Sequence, residues 1–346
     1  MVHPSQGVRK VSPMAATTTA PPLGRRATMA PDPAVLSEVL PTDRLTVTGM
    51  PVAAVRAELR RIASFRNVGS VVATWAQGIG TVWLAVWIDH PLAYVLAFLL
   101  MGPVHARFAS LGHEAAHRLL FTEKRSNDVV GRWLLAYPSF FAFDAYRRVH
   151  FAHHKDEHGP KEPDHNLYDG YPIAAASFWR KMRRDAFGSS GWKNLKGLVR
   201  GFTNPMARPT VARIAAAQVP LAVASVLVGR WWLWPLLWLA PWMTVWRIIN
   251  RLRAIAEHGG MERSKDRRLT THHVSQSRLS GFLLVPCNIG WHLAHHVDMG
   301  VPWRNLPALQ RELDESGWIT ADITWPSYRA LWLALRAGGP APAGPA

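Results

Sequence analysis

The sequence predicts an all-α integral membrane protein: four transmembrane helices in two hairpins, with a helical cap on the cytosolic face. Three observations carry that expectation. Apolar runs come in two adjacent pairs. Three histidine clusters fall beyond the same ends of those runs. Basic residues crowd that side, while the opposite turns carry little charge beyond Asp89 and Arg230.

Residues 1–45 are rich in Ala and Thr and punctuated by Pro4, Pro13, Pro21, Pro22, Pro31, Pro33 and Pro41. They lack an apolar period and read as a disordered N-terminal tail. Arg9, Lys10, Arg25 and Arg26 allow a targeting role, but no apolar signal-peptide core follows them. The membrane domain is expected over 46–335, with a flexible C-terminal tail at 336–346.

The first apolar span, Val68 to Ile88, is about 30 Å long as a helix, enough to cross a bilayer. Asp89-His90-Pro91 breaks it, and a second span from Leu92 to about Leu111 makes the first hairpin. A third span, from about Ile214 to Val228, is short for a crossing, and Pro220 predicts a kink in it. Gly229-Arg230-Trp231-Trp232 forms the turn into a fourth span, Leu233 to about Ile249. Trp231, Trp232, Trp234 and Trp238 suit an interfacial aromatic belt.

Two hairpins return the chain to its starting side. That side holds Arg147, Arg148, Arg180, Lys181, Arg183, Arg184, Lys193, Lys196, Arg200, Arg247, Arg251 and Arg253. The excess of positive charge places it in the cytosol. Val129–Phe143 is apolar but only 15 residues long, and is expected to dip into or lie on the bilayer. Phe178–Phe187 and Trp192–Phe202 mix aromatic with basic residues, as interfacial helices do.

Composition narrows the function. The chain has 40 Lys+Arg against 23 Asp+Glu, a net charge of +17, and 17 Trp. A basic chain binds either nucleic acid or anionic lipid. No nucleic-acid-binding signature is visible, and Trp beside apolar runs favours the membrane. The mean hydropathy of −0.02 averages apolar spans with a His- and Arg-rich remainder. Cys287 is the sole cysteine, so disulfides, iron–sulfur clusters and thiolate metal sites are excluded within one chain.

The clusters are His113-Glu114-Ala115-Ala116-His117, His150-Phe151-Ala152-His153-His154 and His292-Leu293-Ala294-His295-His296. With 16 His in 346 residues, a His-x-x-His-His pattern is expected about 0.03 times by chance; it occurs twice. Imidazole is the commonest protein ligand for transition metals, and eight imidazoles are too many for one ion, which points to a pair. His113 and His117 share a helical face, and in each triplet all three rings can point one way on a helix. His113-Glu114-x-x-His117 also fits the zinc-protease pattern with Glu114 as base, but that reading leaves both triplets unused. A metal transporter would need ionisable residues inside the spans. Few are present: His105 and Arg107 near the inner end of the second, and Arg213 just outside the third.

On these motifs the chain resembles the membrane fatty acid desaturase superfamily, the histidine-box di-iron enzymes, over roughly residues 65–312. The three boxes match His113/His117, His150/His153/His154 and His292/His295/His296. Glu162-Pro163-Asp164 resembles the family's Asp-Pro-Asp segment. Val301-Pro302-Trp303-Arg304-Asn305-Leu306-Pro307 resembles its Pro-x-x-x-Leu-Pro tail. Glu257-His258, 34 residues before His292, occupies the place where the family has a further metal-binding His, and with Asn288-Ile289-Gly290-Trp291 it is similar to the sphingolipid desaturase/hydroxylase branch. His158 and Ala294 depart from the usual pattern; the second bears on the substrate branch more than on the metal site.

The resemblance implies two irons held by nine histidines, O2 as co-substrate, and insertion of a double bond into a lipid hydrocarbon chain. A hydroxylase or ketolase acting on lipid or carotenoid is the alternative on the same scaffold. Asp144, Asp164, Glu257 and Asn288 are expected to orient the imidazoles. His105, His158, His165, His272 and His273 match no ligand position. No fused electron-transfer segment is visible, so electrons are expected from a separate ferredoxin or cytochrome b5-type donor.

Overall fold

The computed structural model describes residues 28–38 and 41–337; the outer parts of both expected tails, 1–27 and 338–346, lie outside them. The described chain is helical apart from loops and one two-residue parallel pairing, β1 (His273–Val274) with β2 (Thr324–Trp325). Part of the stretch assigned to the N-terminal tail is packed. Met29 is 1% exposed and its amide donates to Gly260 O at 2.8 Å.

A short α1 (Ala53–Leu59) leads into α2 (Ser64–Ile88) and α3 (Pro91–Ala116). Asn67, Val71, Thr74, Gly78 and Ala85 are the buried positions of α2. Their spacing of three, four and seven makes one stripe along the helix, and α2 packs on α3. The opposite face leaves Trp83 and Trp87 outward, 61% and 70% exposed. The second half of α3 is buried on nearly every side. It continues past Leu111, where the second span was expected to end, and so carries His113 inside the helix.

α4 (Lys124–Val130) runs into a π-helical turn, Gly131–Ala136, and α5 begins at Phe143 and ends at Lys155. The expected apolar dip at Val129–Phe143 is therefore a π turn and a loop, with Leu135, Tyr137 and Phe140 buried in the core around α3. The two expected interfacial segments form α6 (Ala175–Ala186) and α7 (Ser189–Gly201). Trp179, Phe187 and Trp192 stand out from them, each more than half exposed.

α8 (Arg208–Leu227) continues through Pro220. With α2 and α3 it makes three helices, among the described residues, long and apolar enough to cross a membrane. The fourth expected span is not one such helix. It is a π-helical turn at Pro235–Leu239, α9 (Ala240–Met243) and α10 (Val245–His258), with Thr244 at φ −123° and ψ −82° between the last two. Pro235 and Pro241 lack the N–H that a continuous helix needs, and Arg247, Arg251 and Arg253 then end its apolar run. α9 and α10 pack against α3. The approach is close enough that a Cβ on Gly102 would lie 2.3 Å from Val245 Cγ1. The turns before α3 and after α8 are joined: Arg230 donates to both oxygens of Asp89, at 2.6 and 2.9 Å.

The chain closes with α11 (Arg278–Leu283), α12 (His292–Val297), α13 (Leu306–Glu315) and α14 (Tyr328–Ala337). A second core, around Leu45, Leu293, Val301, Leu309 and Trp318, fastens α12 and α13 to α1. Asp298 just past α12 accepts from Arg60 at 3.1 and 2.5 Å, which ties the third histidine box to the chain before α2.

Candidate metal centre

The helix that carries the first box ends on carbonyls that side chains satisfy. The last carbonyls of α3 would be orphaned. Arg147 of α5 donates to Ala116 O at 2.8 Å and to Ala115 O at 2.9 Å, and Asn127 donates to Ala115 O at 2.8 Å. Arg147 also pairs with Asp128. One guanidinium thus holds the end of the first box against the helix that carries the second.

All nine expected histidines are brought together, in two groups. His113, His117, His150, His154 and His295 form one; His153, His258, His292 and His296 form the other. Within each, one nitrogen per ring lies within 4.8 Å of the rest. Neither triplet points one way. His150 and His154 face the first group and His153 the second; His292 and His296 face the second and His295 the first. Residues four apart are about 40° apart around a helix, whereas adjacent residues differ by about 100°, so the middle ring turns away. The groups abut, with the His154 and His296 rings 4.4 Å apart.

The nitrogen geometry fits metal ligation. In the first group Nε2 of His150 is 2.9 Å from that of His117 and 3.0 Å from that of His154, which is 3.1 Å from that of His295. In the second, Nε2 of His292 is 3.1 Å from that of His258 and 3.0 Å from that of His296. Two nitrogens each about 2.1 Å from one ion and about 90° apart lie about 3.0 Å from each other. Hydrogen bonds alone do not explain the second group. His258 Nδ1 donates to Thr270 O at 3.0 Å and His296 Nδ1 to Glu157 at 3.2 Å. Neutral His296 therefore has a bare Nε2, whereas Glu157 holds His258 toward its charged form against burial; a His258 Nε2 proton donated to His292 leaves His292 no Nε2 proton for His296. In the first group, both ring nitrogens of His113 are buried without a hydrogen-bond partner.

Burial, with neighbouring imidazoles adding to it, pushes His150, His154, His292 and His295 well below the ordinary imidazole value. Burial also takes His117 and His296 down to about 3. These rings are neutral at neutral pH, the form that binds a metal.

The carboxylates that orient the rings are mostly not the expected ones. Asp144 is engaged by Arg132 at 2.7 and 3.0 Å, and Asn288 donates to Trp303 O at 3.1 Å; neither bonds a histidine. Asp164 bonds none among the described residues, whereas Glu162 of the same segment accepts from His153 Nδ1 and the Tyr168 hydroxyl. Of the four expected residues, Glu257 alone lies beside a ring, 3.6 Å from His292 Nδ1, and it is held by Arg253 at 3.0 Å. Sequence reasoning missed Glu157, which reaches His258 at 3.0 Å and His296 at 3.2 Å. Thr271 donates to it at 2.9 Å, and Arg267 pairs with it. Burial favours the protonated Glu157, but these histidines hold its carboxyl well below the ordinary range. Its position three residues after His154 was the available signal.

Glu114 is buried and accepts the Trp303 amide at 3.1 Å, and its neighbours His113 and His117 join three imidazoles from α5 and α12. This is not an isolated protease pair with a free base. The histidines set aside have other partners: His105 contacts Ser139 and Trp238 O, each at 3.0 Å, and His272 contacts Gly259 O at 2.8 Å. His158 donates to Thr270 O at 3.0 Å; it also lies with Glu157 and His258 in a third possible ligand group, which shares His258 with the second.

Comparison with known proteins agrees with the site. The sequence model described as fatty acid desaturase matches residues 89–328. The chain is 25% identical over 260 residues to the dihydrorhizobitoxine desaturase of Bradyrhizobium elkanii, covering 67% of this chain and 71% of the relative. It is 22% identical over 281 residues to the sn-1 oleoyl-lipid 12-desaturase of Arthrospira platensis, covering 71% and 77%. It is 24% identical over 310 residues to a chloroplastic omega-6 fatty acid desaturase of Spinacia oleracea, covering 81% and 66%. The matched region contains every histidine of both groups, and the chain belongs to the fatty acid desaturase family.

Proposed function

We propose that the protein is an O2-dependent lipid desaturase with a di-iron centre, spanning the membrane through two hairpins with its histidine groups on the cytosolic side. The observation that carries the reading is the five-plus-four division of the nine histidines, in which the second and third boxes each contribute to both groups. The Asp89–Arg230 contact supports the hairpins, because it joins the two turns expected on the far side.

The first iron would be held by His113, His117, His150, His154 and His295, and the second by His153, His258, His292 and His296. When bound, the irons would activate O2, which with two external electrons and two protons removes two hydrogens from adjacent carbons and leaves as two waters. The protein's own part is to fix ring orientation. Glu157, Glu162 and the Thr270 carbonyl hold the Nδ1 protons of His296, His153 and His258, so that each presents Nε2. A sole cysteine cannot hold a cysteine-ligated iron–sulfur cluster, and a separate ferredoxin or cytochrome b5-type donor would supply the electrons. The relatives named for oleoyl lipid and omega-6 fatty acids favour an acyl chain over a sphingoid base as substrate.

Expression with a competent reductase system in a host lacking the activity tests this. A new unsaturated lipid, located by double-bond mapping in the mass spectrometer, is the expected product. A new alcohol or ketone would instead assign the hydroxylase reading, and unchanged lipids from iron-loaded protein would overturn both.

A further inference from the structure

Beside the first histidine group lies a cavity of about 490 Å³ between α3, α5, α7, α9 and α10. Its size is that of a small-ligand site. One part of its wall is aromatic, from Phe140, Phe141, Tyr146, Trp242 and Trp246; another is cationic, from Lys193, Arg247 and Arg253. The aromatic part reaches the histidines. Tyr146 stacks on His150 with centroids 5.4 Å apart and planes 8° apart. Phe141 covers Gly112, whose Cβ position is 2.5 Å from Phe141 Cζ, next to His113.

Among the described residues, two of the three cations have no matching anion. Arg253 is paired with Glu257. Arg247 is not paired with any carboxylate among the described residues. Its Nε donates to Trp242 O at 3.1 Å and its guanidinium lies 4.2 Å from the Trp242 ring centroid, which leaves the four other N–H groups without an acceptor among the described residues. Asp185 of α6 is taken by Arg251 of α10. Lys193, on the amphipathic α7, has no ion pair among the described residues either. Arg247 is half-buried at the cavity wall, and its planar guanidinium fork is shaped for a carboxylate or phosphate.

We propose that this cavity binds the acidic head, carboxylate or phosphate, of an acyl-chain substrate, with Arg247 and Lys193 holding the anion and Tyr146 standing between the chain and His150. The inference rests on the lipid-desaturase reading for its occupant but not for its test, which measures binding without turnover. Loss of desaturation with binding intact would overturn that reading alone.

Purified protein in a non-ionic detergent is titrated with radiolabelled oleate, dioleoyl phosphatidate and methyl oleate. At least one of the two acids is expected to bind about tenfold or more tighter than the neutral ester, the factor carried by one charge-assisted hydrogen bond. Oleate binding tighter identifies a free acid as the source of the anion, and phosphatidate a phospholipid head. Arg247→Gln should abolish the preference for the acid while Arg247→Lys keeps part of it. Lys193→Gln, on the exposed side of α7 where folding is not at stake, should weaken acid binding about threefold and leave the ester unchanged. Equal binding of ester and both acids by the wild type, or an unaltered preference in both Arg247→Gln and Lys193→Gln, would overturn the proposal.

Discussion

Glu157 accepts from His296 Nδ1 at 3.2 Å, and its other carboxylate oxygen lies 3.0 Å from His258 Nδ1. One buried side chain therefore fixes the tautomer of His296 and lies against the His258 Nδ1 that donates to Thr270 O. Glu157→Gln keeps the shape but offers one accepting oxygen where there were two. Iron retained against graded chelator should fall about 10- to 100-fold in apparent affinity. Retention equal to wild type would show that Glu157 only packs the loop.

The division of each triplet between two groups predicts partial metal loss. His295→Ala removes a ring from the five-histidine group and His292→Ala one from the other. Each should lower bound iron toward half and convert the remaining iron to a mononuclear Mössbauer signature. Complete loss in both would indicate a single shared ion.

The close approach of α3 and α10 depends on Gly102. A leucine there has no space beside Val245 Cγ1, and overpacking should cost about 1–3 kcal/mol. Thermal unfolding in detergent is expected to fall by several degrees. Gly80→Ala on α2, where nothing lies within 4 Å of the new Cβ, should not lower it.

Acid should destabilise the metal-free protein through buried neutral histidines outside the two groups. Burial lowers His272 and His273 to about 4 from the ordinary value of 6.5. Between those values the unfolded chain takes up protons that the folded chain refuses, so stability falls as pH falls from 6.5 and levels off near 4. Each contributes about 1.4 kcal/mol per pH unit across the window. Chemical denaturation at pH 5 and pH 7 measures the difference, and His272→Gln should reduce it; an unchanged slope would remove His272 from the account.

Much of the site was legible in the sequence because the information is local. Helical spacing puts His113 and His117 on one face, apolar runs announce α2, α3 and α8, and the residue type itself announces metal chemistry. The same locality hid the interruptions of Leu233–Ile249, where hydropathy reads through Pro235, Pro241 and Thr244 but the helix does not. It also misled at Asp144, Asp164 and Asn288, each near a box in the chain and none bonded to a histidine. By itself the sequence singled out eight of the nine imidazoles that meet, and the family resemblance added His258. The tertiary structure decided which of them share a centre and which carboxylates hold them. The reason is geometric: His153 and His154 differ by one residue yet point about 100° apart, so their partners are set by where α10 and α12 pack against α5. Glu157 reaches two rings only because the chain after α5 folds back beneath them.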